Sequence, residues 1–122
     1  MKRIPGRSFV AAMVLALLGI ACAPLTLAAE ATAWVKEGKA IAFDRRKGNC
    51  LACHPMDNGE SPGNIGPPLL AMKARYPDRA KLKIQIGDPE IFNPDTSMPP
   101  FGKHHILSPE ELEKVVDYVW GL

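Results

Sequence analysis

The stretch KGNCLACHPM, residues 47–56, sets Cys50 and Cys53 two residues apart with His54 directly after them. Three chemistries use such a pair: a structural zinc site, a redox dithiol, and the covalent attachment of a haem. Each needs different company elsewhere in the 122 residues.

A structural zinc ion wants four ligands, usually from two such pairs or from a second Cys/His cluster. The other histidines are His104 and His105, adjacent in sequence and not at the spacing of a finger. A thioredoxin-like dithiol expects a βαβ context, and the chain shows no strong strand pattern. C-x-x-C-H is also the attachment signal for c-type haem. In that reading each thiol adds across one vinyl group of the porphyrin, and His54 is carried to the iron as its proximal ligand. The expectation is one haem c, held through two thioether bonds at Cys50 and Cys53.

The start of the chain argues for export. Lys2, Arg3 and Arg7 precede the uncharged run FVAAMVLALLGIACAPLTLAA, and small residues around Ala28 and Ala29 come before Glu30. That is the layout of a secretory signal peptide. Residues 1–29 are therefore expected to be a cleaved leader and residues 30–122 a single periplasmic domain. A retained membrane anchor is the alternative, because the apolar run approaches spanning length. Lipidation is not expected, since Gly19 stands three residues before Cys22 where a leucine would be needed. Three of the 15 Lys and Arg leave with the leader, and none of the 13 Asp and Glu, so 12 cations face 13 anions and the net charge becomes −1 rather than +2. Nucleic-acid binding usually shows as a strongly basic patch, and this balance does not call for it.

A domain under about 100 residues buries little apolar surface and usually needs a disulfide, a metal or a large cofactor. After loss of Cys22, a Cys50–Cys53 disulfide would close only a tiny loop. A covalent macrocycle supplies what that disulfide cannot.

The pattern along the chain is helical. Residues 31–47 place Trp34, Gly38, Ile41 and Ala42 at helical spacing, with Lys36, Lys39, Asp44 and Arg46 on other faces. Near the C-terminus, Ser108 is placed to cap, Pro109 to take the first helical position and Glu111 to complete a capping box. Leu112, Val115, Val116 and Val119 form the apolar stripe of that helix. The two terminal helices are expected to cross at Gly38, with Tyr118 and Trp120 as packing residues there. Ten of the twelve prolines fall between Pro55 and Pro109, which makes the middle loop-rich. Short helices are expected within PPLLAMKARYP and DRAKLKIQIGDP; in the second, a lone strand would have no pairing partner.

A haem iron with one histidine needs a sixth ligand or leaves an open site, and that choice separates carrier from catalyst. Met56 lies too close to His54 to reach the other haem face, and Met72 reads as core with Leu69 and Tyr76. Met98 lies in NPDTSMPPFG, where Pro99 and Pro100 stiffen an extended loop able to hold a weak thioether. Met98 is therefore the expected distal ligand, so His54 and Met98 would bind the metal. His104 and His105 read as solvated loop residues. A ligating histidine donates its other ring N–H to a second group, and the proline-stiffened NIGPPL loop offers carbonyls for it.

CLACH, GPPL, MPPFG and a C-terminal helix, in that order, resemble the small monohaem cytochromes c with His/Met ligation across residues 30–122. The resemblance implies an all-α fold whose terminal helices cross and whose loop-rich middle wraps the haem. It also implies that Pro67 accepts the hydrogen bond from the proximal histidine. AFDRRKGNCLACH joined to NPDTSMPPFGKHHILSPEELEKVVDYV is similar, more narrowly, to the SoxX family, the monohaem subunits of SoxAX thiosulfate-oxidising complexes. That resemblance implies a SoxA-like cytochrome as heterodimer partner, carrying the catalytic haem. It further implies transient contacts with a SoxYZ-like carrier and a downstream cytochrome. In this scheme the chain accepts electrons and is not catalytic alone. A free periplasmic carrier serving an oxidase, and a haem sensor with an open iron site, remain the alternatives. Arg45, Arg46 and Lys47 on one side, and Lys103, His104 and His105 on the other, are expected to frame an exposed haem edge.

Overall fold

The computed structural model describes residues 23–122. The expectations about Lys2, Arg3, Arg7, Gly19 and Cys22 lie outside the described residues. Contacts set Thr32–Leu122 apart as one compact unit, and that unit contains the site described below. Four helices follow in order: α1 (Ala23–Phe43), α2 (Met72–Arg75), α3 (Arg79–Gly87) and α4 (Pro109–Trp120). Single 3-10 turns at Cys50–Ala52 and Pro89–Ile91 lie between them. The described residues form no strand, only an isolated bridge between Met56 and Leu69. None of their helices is long and apolar enough to cross a membrane.

Helix α4 starts where its local code directs. The Ser108 hydroxyl accepts the Glu111 N–H at 3.2 Å, and the Glu111 carboxylate accepts the Ser108 N–H at 3.0 Å. Two backbone donors that the helix leaves without partners are thereby satisfied. The stripe of Leu112, Val115, Val116 and Val119 is buried, together with Tyr118. Leu82 and Ile86 of α3 join the same core with Ala42, Met72, Phe101 and Leu107.

Gly38 is buried where α1 meets α4. A Cβ at that position would overlap the Lys114 carbonyl and crowd Tyr118, so glycine here sets how closely the helices approach. Trp34 Nε1 donates to Asp117 across the same contact at 2.9 Å, and the Phe43 and Tyr118 rings meet edge to face at 6.4 Å.

The expected first helix, residues 31–47, differs from the observed one at both ends. α1 begins earlier, at Ala23, and ends at Phe43. The cause at its C-terminal end is local. The Asp44 carboxylate accepts the Arg46 N–H at 2.8 Å, a side-chain turn that competes with helix continuation. Asn49 then takes a left-handed conformation with φ 46°, which asparagine tolerates better than most residues. The two expected middle helices are α2 and α3.

Candidate cofactor site

The 3-10 turn at Cys50–Ala52 is a tight coil that aims three reactive side chains the same way. The His54 and Cys53 N–H groups both donate to the Cys50 carbonyl, at 3.0 and 3.1 Å. The following loop is pinned back on this coil, with Gly63 N donating to Leu51 O at 2.9 Å and Gly66 N to Cys53 O at 2.8 Å. Gly66 lies flat against the His54 imidazole, and a Cβ there would overlap the ring.

That packing orients the imidazole. His54 Nδ1 lies 2.7 Å from the Pro67 carbonyl oxygen, so Nδ1 carries the proton and Nε2 keeps its lone pair for a metal. The neighbouring carbonyl, Pro68, is taken by Arg75 at 2.8 Å. Which carbonyl serves His54 is thus decided by the path of the loop.

A cavity of about 710 Å3 opens beside the turn, within the range of small-molecule and cofactor sites. Cys50, Cys53, His54, Pro67 and Met98 all lie on its wall, among apolar residues such as Leu82 and Val115. His104 and His105 are exposed and absent from that wall. Met56 is buried in the core away from the cavity, and Met72 is a core residue that also reaches its lining.

The Met98 loop is tied to α3. Phe101 N donates to Ile86 O at 3.3 Å and Gly102 N to Gly87 O at 2.9 Å. Met98 N itself donates to the Thr96 hydroxyl at 3.1 Å. The thioether is half-buried, and the Gln85 amide points at its sulfur from 3.8 Å.

The donor set fits a covalently attached haem. Two free thiols stand one turn apart, an imidazole offers one unprotonated nitrogen, and a thioether shares a largely apolar cavity with them. Burial pushes the Cys50 thiol up to about 11, against the opposing pull of a backbone hydrogen bond and with a smaller push from the nearby Cys53.

The basic frame is only partly as expected. Arg45, Arg46 and Lys47 line the cavity, but Lys103 does not, and it is committed to Glu90 at 2.6 Å and Asp88 at 3.6 Å. Lys47 is bound to Glu111 of α4. Arg45 and Arg46 are exposed on that rim, Arg46 with only a loose 3.8 Å pairing to Asp44.

Two contributors were missed by sequence reasoning. Asp57, just past the haem-type motif, accepts from Lys39 at 2.6 Å and from the Tyr118 hydroxyl at 3.2 Å. This fastens the motif loop to the α1–α4 crossing and gives Tyr118 a role beyond packing. Gln85 is the other. Both are long-range pairs with no local pattern to announce them.

A family model described as Cytochrome c matches residues 35–122. A protein of Aquifex aeolicus (strain VF5), named as an uncharacterized lipoprotein, is 37% identical over 88 residues, covering 69% of this chain and 43% of that protein. The chain thus spans less than half the length of that relative. A chain in the crystal structure of SoxXA from P. pantotrophus superimposes with a TM-score of 0.63 at 27% identity. The overlap covers 70% of this chain and 78% of that one.

Proposed function

This chain belongs to the cytochrome c family, and from that premise we propose that it is the electron-accepting subunit of a SoxAX-type complex in the periplasm. Membership in the family brings covalently bound haem c, and Cys50 and Cys53 fit its attachment motif. The likeness to a SoxXA chain marks it as a SoxX-like monohaem cytochrome. When bound, the haem supplies a one-electron ferric/ferrous couple.

The observation that carries the proposal is the convergence of Cys50, Cys53, His54 and Met98 around one cavity. The two thiols anchor the group, Nε2 of His54 is free to ligate on one side, and the Met98 thioether is available as the second ligand. Were His54 and Met98 both to ligate the iron, substrate would find no open coordination site, which favours a carrier over a sensor. Once both thiols are thioethers and the leader is gone, no free thiol remains for nucleophilic chemistry.

A partner must then perform the reaction. Joining thiosulfate to a carrier thiol forms an S–S bond and releases one proton and two electrons, and a monohaem chain takes one electron at a time. A SoxA-like cytochrome would carry out the coupling on a SoxYZ-like carrier. Electrons would leave through this chain to a downstream cytochrome.

The test is co-expression with a SoxA-like cytochrome. The two should co-elute, and thiosulfate should reduce this haem only when partner and carrier are both present. Steady thiosulfate oxidation by the isolated chain would overturn the electron-accepting role, and failure to co-elute would favour a free carrier. Intact mass reads the processing: residues 30–122 plus one haem is expected. A chain beginning at a lipid-bearing Cys22 would instead match the character named for the Aquifex relative.

A further inference from the structure

We propose that Gln85 is a positioning residue for the Met98 thioether, holding its sulfur in the cavity and drawing electron density from it. This rests on the reading of Met98 as an iron ligand. Gln85 Nε2 lies 3.8 Å from Met98 Sδ, within range for an N–H donor on sulfur, whose bonds are longer than those to oxygen. Both residues line the cavity. Gln85 is the only uncharged polar side chain in α3, whose sequence is RAKLKIQIG.

The donor stands on a rigid element. Leu82 and Ile86 bury one side of α3, while Arg79 and Lys83 tie it to Glu113 of α4 and Arg79 also to Asp117. The acceptor is the opposite case. Methionine is unbranched with three rotatable bonds and is a weak, adaptable group. The backbone ties of the Met98 loop place its Cα but leave the thioether free to rotate.

A thioether sulfur has two lone pairs. One is available to a metal, and the amide of Gln85 engages the other. Outer hydrogen bonds of this kind orient a ligand and tune its donor strength. Electron density drawn from the sulfur favours the ferrous over the ferric state, so the amide raises the potential. By holding the thioether in place, the same contact separately resists replacement of Met98 by an external ligand.

The experiment uses the full holoprotein and its Gln85→Leu and Gln85→Asn variants. Leucine removes the donor, and asparagine keeps the amide but withdraws it by one methylene. Three readouts are taken: the far-red sulfur-to-iron charge-transfer band, the midpoint potential, and the affinity for added imidazole. Wild type should show the band. Both variants should favour the ferric state about threefold more, a fall of about 28 mV at 59 mV per tenfold. Both should bind imidazole about three- to fivefold tighter, the size a weak hydrogen bond supports.

If wild type shows the band but potential and imidazole affinity stay unchanged in the variants, Gln85 merely packs and the inference is overturned. A loss of thermal stability alone has the same meaning. If Gln85→Leu fails to fold, Gln85→Asn decides. Absence of the band in wild type overturns both the Met98 ligation and the role of Gln85.

Discussion

Met56 is 5% exposed and bridges to Leu69, Met72 is 2% exposed inside the core, and Met98 is half-buried on the cavity wall beside Gln85. One side-chain type meets three environments, and the difference between core filler and ligand candidate is which neighbours surround the sulfur. Met98→Ala should convert the low-spin spectrum towards high spin or a water-ligated form. It should lower the midpoint potential by an amount on the order of 0.1 V, a fraction of the roughly 0.8 V that axial ligands span. His104→Ala and His105→Ala should leave the spectrum unchanged, because both side chains are exposed and off the cavity wall. Loss of the low-spin form in His104→Ala would reassign the ligand.

The helices hold this arrangement through contacts that tolerate little change. Gly38→Ala would press a methyl group on the Lys114 carbonyl, so α1 must shift away from α4. Overpacking of this kind costs about 1–3 kcal/mol, and thermal or chemical unfolding of the holoprotein should read it. Charge ties between elements predict an acid limb. Lys39 holds the Asp57 carboxyl below its ordinary range, Lys47 does so for Glu111, and Lys83, followed by Arg79, does so for Glu113. Groups with depressed folded values bind fewer protons than in the unfolded chain as pH falls. Their contribution is therefore complete above about pH 4 to 4.5, where free carboxylates are ionised, and is lost as pH drops through the lower folded values. The melting temperature should hold from pH 7 to about 5 and fall below that. A melting temperature that rises on acidification through this window would contradict the assignment.

At the scale of the molecule, the haem c that the family brings occupies the cavity bounded by the core of α3 and α4. The charge that lines its cavity is mostly positive. Lys103 is neutralised by Glu90 and Asp88, and Lys47 by Glu111, which leaves Arg45, Arg46 and Arg75 as exposed cations of the lining, beside the exposed carboxylate of Asp95. Ile65 and Ile106, 74% and 40% exposed, lie on the same lining. An exposed apolar patch beside exposed arginines suits an acidic partner surface. Arg45→Glu combined with Arg46→Glu should slow partner-driven reduction of the haem about tenfold or more at low ionic strength. The difference should shrink as salt rises and the Debye length falls to about 8 Å near 0.15 M. Equal rates for wild type and variant at low salt would place the docking face elsewhere.

Sequence by itself determined the features whose physics is local. The spacing of Cys50, Cys53 and His54 points to the haem by itself, and the order of CLACH, GPPL, MPPFG and a C-terminal helix carries the resemblance to the small cytochromes c. The capping box of Ser108 and Glu111, the apolar stripe of α4 and the bare backbone at Gly38 are equally legible, because each acts within a few residues or by lacking a side chain. The end of α1 was misjudged by four residues, since apolar periodicity cannot weigh the Asp44 side chain's competition for the backbone. Tertiary structure alone decided what depends on distant segments meeting. It gave the Pro68 carbonyl to Arg75, turned Gln85 towards Met98, and joined Asp57 to Lys39 and Tyr118, whereas the Pro67 carbonyl lies on His54 as the resemblance implied. It also withdrew Lys103 from the basic frame by pairing it with Glu90. Such pairings span 13 to 61 residues of sequence in the His54–Pro67 and Asp57–Tyr118 cases, and a charge or amide carries no mark of its partner until the core has packed.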